Sequence, residues 1–147
     1  MRRIALSLFT TLTLLPAPAP AQSQGQPPHA ALFGTWTGGL FPVPSTLTTQ
    51  ACLSQPVVIF TRDLVLRATL TEQELTQREI ETVRVEGGTD EFRFRPIVQG
   101  PASLTTGLRS VGFGCESPDV LHVQRRGENE ITFPSCPDFP NPLVRCR

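Results

Sequence analysis

The sequence predicts an all-β domain: an antiparallel barrel or sandwich of seven to eight strands with one short helical turn. Three observations predict it. From Leu32 onward, short runs rich in Val, Ile, Leu, Phe and Thr recur, punctuated by Gly, Pro and Asn. Two neighbouring pairs of runs register as hairpins that collect their apolar residues on one face. Four cysteines, Cys52, Cys115, Cys136 and Cys146, are an even set suited to stapling a small domain.

The runs that suit strands are Phe33–Phe41, Val57–Thr61, Asp63–Leu70, Ile80–Glu86, Glu91–Ile97, Val120–Arg126 and Glu130–Phe133, with a weaker one at Ser103–Val111. In the third run Leu64, Leu66, Ala68 and Leu70 alternate with Val65, Arg67 and Thr69, the period of a half-buried strand. The helical turn is expected at Thr71–Glu74, a T-x-x-E capping box flanked by Leu70 and Leu75. A longer helix running through Val83 is the competing reading.

The first hairpin turns at Gly87-Gly88 or Gly88-Thr89. Either turn puts Val83 and Val85 on the face of Phe92 and Phe94, and Thr82, Arg84, Arg93 and Arg95 on the other. The second is expected to turn through a three-residue loop, Gly127-Glu128-Asn129. That register sets Phe133 opposite Val123, Ile131 opposite Arg125 and Arg126 opposite Glu130. The tail beyond Phe133 carries Pro134, Pro137, Pro140 and Pro142. It reads as an extended, polyproline-like segment laid over the domain and tied down by Cys146.

Ahead of the domain, residues 1–21 have the order of a secretory signal peptide: Arg2-Arg3, an apolar stretch from Ile4 to Leu15, then Ala19-Pro20-Ala21 as a cleavage site. That stretch is shorter than the about 20 apolar residues a membrane-spanning helix needs, so no stable membrane insertion is expected. Residues 22–31 read as a flexible Pro/Gln-rich lead in which His29 is solvated, and 32–147 as a single domain with a Pro-rich tail. Removing Arg2 and Arg3 from 13 basic and 13 acidic residues leaves a net charge of −2, which argues against a nucleic-acid binder. Export implies the periplasm or the exterior, where the four cysteines form two disulfides. Cys115 and Cys136 flank the second hairpin, which favours Cys115–Cys136 with Cys52–Cys146. Cys52–Cys115 with Cys136–Cys146 stays open. The absence of a close C-x-x-C pair speaks against zinc.

Little in the chain points to catalysis. There is no G-x-S-x-G turn, no H-E-x-x-H and no phosphate-cradling Gly-rich loop. His122, the one histidine within 32–147, reads as a strand-surface residue. No catalytic, cofactor or metal residues are assigned. The Arg84, Arg93 and Arg95 stripe is the candidate partner-binding feature, able to meet an anion or acidic partner through bidentate contacts. Its neighbours Glu86 and Glu91 favour a solvated strand face.

Gly34-Thr35-Trp36, opening the first strand, resembles the G-x-W start of the calycin group: lipocalins, fatty-acid-binding proteins and avidins. Thr89-Asp90-Glu91-Phe92 is similar to a second lipocalin motif, whereas a sole Trp and no Tyr speak against an avidin-like biotin pocket. The opening also resembles that of small bacterial periplasmic protease inhibitors with a calycin-like barrel. The resemblance implies that Trp36 closes the barrel base, with an arginine from a late strand across it. Arg125 is the expected partner, with Arg126 and Arg145 as rivals, or Arg125 reaches solvent. The function expected is a non-catalytic exported binding module. Its partner is a small apolar ligand, which needs a hollow interior, or an envelope protein bound by an inhibitor, which needs a filled one. A small secreted hydrolase is the remaining alternative.

Overall fold

Alternating short runs give each strand one face to bury, and rolling the sheet up buries those faces together. The chain does this in a computed structural model describing residues 25–42, 52, 56–68, 75–96, 115 and 117–146. Eight strands follow in chain order: β1 (Gly34–Gly38), β2 (Val57–Phe60), β3 (Leu64–Ala68), β4 (Thr76–Glu86), β5 (Thr89–Phe94), β6 (Val120–Arg125), β7 (Glu130–Thr132) and β8 (Leu143–Arg145). Each pairs antiparallel with the next, and β8 returns to β1 with Arg145 opposite Trp36, closing an up-and-down barrel. The architecture is therefore the barrel, not the sandwich.

Both hairpins take registers legible in the sequence. The β4–β5 turn is Gly87-Gly88, both at positive φ (56° and 82°), as a tight two-residue turn requires. In the second hairpin Arg125 faces Ile131, Gln124 faces Thr132, and the Arg126 amide donates to the Glu130 carbonyl. The three-residue loop follows from that register.

Several expectations are corrected. The Pro-rich tail is not wholly polyproline-like: Leu143-Val144-Arg145, free of proline, forms β8 between β1 and β7. The segment ahead of it is pinned as expected, with the Asn141 amide donating to Gly39 O and the Gly39 amide to Pro142 O. Strand β4 begins at Thr76, which removes the helix through Val83. The expected turn at Thr71–Glu74 and the weak strand at Ser103–Val111 lie outside the described residues. The described helical turn is instead a 3-10 turn, Ala30–Leu32, across the boundary expected between the lead and the domain. In β3 the interior takes Val65 and Arg67, while Leu64 and Leu66 are half-buried on the outside. Val85 lies on the core face as expected, but at the barrel mouth, where it is 45% exposed.

The interior is packed with the chain's own side chains. Phe60, Phe92, Phe94, Phe133 and Phe139 are buried with Val58, Val65, Leu121, Val123, Ile131 and Leu143. Ring centroids lie 5.4 Å apart for Phe60–Phe92, 6.4 Å for Phe60–Phe133 and 5.3 Å for Phe133–Phe139. Each such ring contributes about 1.5–3 kcal/mol through its burial. Between Ile80 and Thr82 a bulge shifts the register of β4 against β5, so that Arg78 and Ile80 point inward before it and Val83 and Val85 after it.

Candidate functional site

One barrel end is built around Trp36. Gly34 opens β1 at φ 117°, a backbone conformation that L side chains rarely adopt, and the Arg145 guanidinium lies at contact distance above it, 3.5 Å from where a Cβ would stand. The Arg145 guanidinium sits 4.3 Å from the Trp36 ring centroid. Its Nη1 donates to Phe33 O at 2.6 Å, its Nε to Glu128 O at 3.2 Å and its Nη2 to Ala31 O. The indole nitrogen in turn donates to Leu32 O at 2.8 Å. The arginine over the tryptophan is therefore Arg145, and the expected Arg125 contact is corrected.

Arg125 does face inward, as its register requires, but finds a carboxylate. Nε donates to Asp90 Oδ2 at 2.6 Å and Nη2 to Oδ1 at 2.5 Å, a bidentate pair. Asp90 is fully buried, and its hydrogen bond raises the Arg125 pKa against the opposing effect of desolvation. His29, expected in solvent, is buried edge-on to Phe33 and Phe92, each at 5.2 Å, with Nε2 3.1 Å from Thr61 O. The residues just ahead of β1 thus cap this end of the barrel.

The opposite end is closed by two further arginines, both buried. Arg78 donates to Asp119 Oδ1 and Pro118 O, both at 2.5 Å, and to Arg95 O at 3.1 Å, with its guanidinium 5.3 Å from the Phe94 centroid. Arg67 reaches Asp138 Oδ2 at 3.2 Å and lies 5.9 Å from the Phe139 centroid. The Pro-rich segment and the approach to β6 are held to the barrel mouth by these contacts. Sequence reading missed Arg67, Arg78 and Asp90, and named Arg145 only as a rival to Arg125. The signal that could have found them is parity: each lies two residues from an inward-facing neighbour, or opposite one.

The Arg84, Arg93 and Arg95 stripe lies together on the outer face of β4–β5, with acids interleaved. Arg93 Nε is 2.8 Å from Glu91 Oε1 and Arg95 Nη1 is 3.0 Å from Glu79 Oε1. Arg84 stands opposite Glu91. His122 Nε2 lies 3.5 Å from Glu91 Oε2 on the same exposed face. The Arg93 hydrogen bond, aided by His122, holds the Glu91 carboxyl below the ordinary glutamate range. The surface is thus charge-alternating rather than concentrated in cations.

The sulfurs of Cys52 and Cys146 are joined, as are those of Cys115 and Cys136. The first disulfide ties the end of β8 to the segment before β2; the second ties the approach to β6 to the segment after β7. Beside the second, an open groove of about 720 Å³ runs along Gln124, Thr132, Pro134, Ser135 and Phe139. Ser135 adopts φ 60° there, and no hydrogen bond links it to His122 among the described residues. Two disulfides fit an oxidising compartment, and no helix among the described residues is long and apolar enough to cross a membrane. No family model matches the chain, and no curated protein or solved structure matches it.

Proposed function

We propose that the chain is an exported, non-catalytic protein-binding module of calycin-like architecture, acting in the periplasm or outside the cell through its exterior rather than as a carrier. The observation that carries the reading is the filled interior. A carrier of apolar ligands needs an apolar cavity of roughly 300–1,000 Å³, whereas Phe60, Phe92, Phe94, Phe133 and Phe139 occupy the barrel at 0–3% exposure. Arg145 over Trp36 at one end and Arg67 and Arg78 at the other support the same reading, because each end is closed by charged groups held in place. The inhibitor form fits best: a rigid, doubly stapled wall can present loops to a partner with little ordering cost.

The test pairs two measurements on the exported, oxidised protein. One follows complex formation with peptidases of the same envelope and their residual activity. The other titrates the protein with a fluorescent fatty-acid analogue. The reading predicts a stoichiometric protein complex with loss of peptidase activity, and no saturable binding of the analogue. One-to-one binding of the analogue with no protein complex would replace it with the carrier reading.

A further inference from the structure

Strand β4 outruns its neighbour. β3 covers only Thr76 to Glu79, and the last backbone link to that side is the Ile80 amide donating to Asp63 O at 2.8 Å. β5 continues beside β4 to Glu86, and β6 covers the far side of β5 to the tip, with Thr89 opposite Gln124. Among the described residues the β4–β5 hairpin therefore projects with one open edge, Glu81–Glu86.

The pairing fixes which backbone groups face that edge. Around a two-residue turn the closing pair is hydrogen-bonded, so Glu86, Arg84 and Thr82 turn their amides and carbonyls toward β5. Val83 and Val85 turn theirs outward, and no partner for them is present among the described residues. Such an edge is a template for an added strand. Among the described residues, Val85 is also one of the few large apolar side chains left exposed.

We infer that this edge pairs with the same edge of a second copy, antiparallel, with Val85 opposite Val85 on the two-fold axis. Charge selects that register. The outward-facing groups of Val83 and Val85 allow axes at Val83, Arg84 or Val85. An axis at Arg84 sets two arginines against each other, which is repulsive. An axis at Val83 sets Arg84 against Thr82 and gives it no counter-charge. An axis at Val85 sets Arg84 of each copy against Glu86 of the other, twice, and covers both exposed valines. An isologous contact of this kind closes at two copies and leaves no further edge to propagate.

The test measures sedimentation velocity of the exported, oxidised protein from about 1 μM to about 1 mM, the range of a small interface. A concentration-dependent monomer–dimer equilibrium is expected, with the Val83 and Val85 amides exchanging more slowly as dimer forms. R84E and E86R each put like charges across the axis and weaken the dimer by about tenfold or more. An equimolar mixture of the two variants restores opposite charges at both positions and recovers a heterodimer. V85P removes the central amide and abolishes pairing. If it also unfolds the hairpin, the two charge variants, both at exposed positions, carry the test. A protein that stays monomeric throughout overturns the inference. So does a dimer indifferent to R84E and E86R, or a mixture that fails to re-associate.

Discussion

Removing the Arg145 guanidinium should cost more than removing an ordinary surface cation, because it is held by an indole and three carbonyls. At 4.3 Å from the Trp36 centroid the cation–π contact is worth about 0.5–2 kcal/mol. The hydrogen bonds to Phe33 O, Ala31 O and Glu128 O add about 1 kcal/mol each at most after exchange with water. Part of that returns when the carbonyls are rehydrated, so R145A should destabilise by about 2–4 kcal/mol. R145K keeps the charge but loses the fork, and should fall between. The assay is urea unfolding of the oxidised protein followed by far-UV circular dichroism, since Trp36 itself is varied. In a double-mutant cycle R145A and W36F should couple by about 0.5–2 kcal/mol, while R125A and W36F should add. Coupling of Trp36 to Arg125 and not to Arg145 would refute the assignment of the closing arginine.

The Asp90–Arg125 pair should respond asymmetrically. R125A strands a fully buried carboxylate and should cost about 3–5 kcal/mol, whereas D90A should cost less, because the Arg125 side chain, 29% exposed, can turn to water; equal losses in urea unfolding would contradict this. Gly39, at φ 82°, lies so close to the tail that an added Cβ would meet Phe139 Cδ1 at 2.4 Å. G39A should therefore lower stability by about 1–3 kcal/mol or more through overpacking and backbone strain, seen as a lower Tm. The Glu91 carboxyl should titrate below the ordinary glutamate range by NMR, and R93A should move it back up. A depressed folded pKa gives stability present above the unfolded value and lost as pH falls through the folded one, so this contribution disappears in acid.

The two hairpin registers were legible because parity is unforgiving: a one-residue slip would expose Phe92 and Phe94, or separate Val123 from Phe133. The GxW opening was legible as a barrel start, but not which arginine answers it. Arg125 has the right parity in β6, yet Asp90 shares parity with Phe92 and Phe94 on the neighbouring strand, so two opposite charges face inward side by side. That conflict of candidates resolves once Asp90 is counted as inward. β8 was hidden because four prolines, the last of them Pro142, run up to the three residues that form it. β3 misled because Leu64 and Leu66 flank Val65: both parities are apolar, and the charged Arg67 marks the interior only when paired with Asp138. Arg78 was hidden for the same reason, since a hydropathy pattern reads a buried, paired guanidinium as a surface one.

The barrel is filled by its own side chains, and the proposed function has it work from its outside. An NMR titration of the oxidised protein with a medium-chain fatty acid, observing the ring resonances of Phe60, Phe92 and Phe133, tests it most directly. The account predicts no saturable shift in the wild-type protein, and new binding of a small apolar probe such as benzene only in F92A, where a cavity is opened. Saturable shifts of those rings in the wild-type protein, reached at one fatty acid per chain, would contradict it.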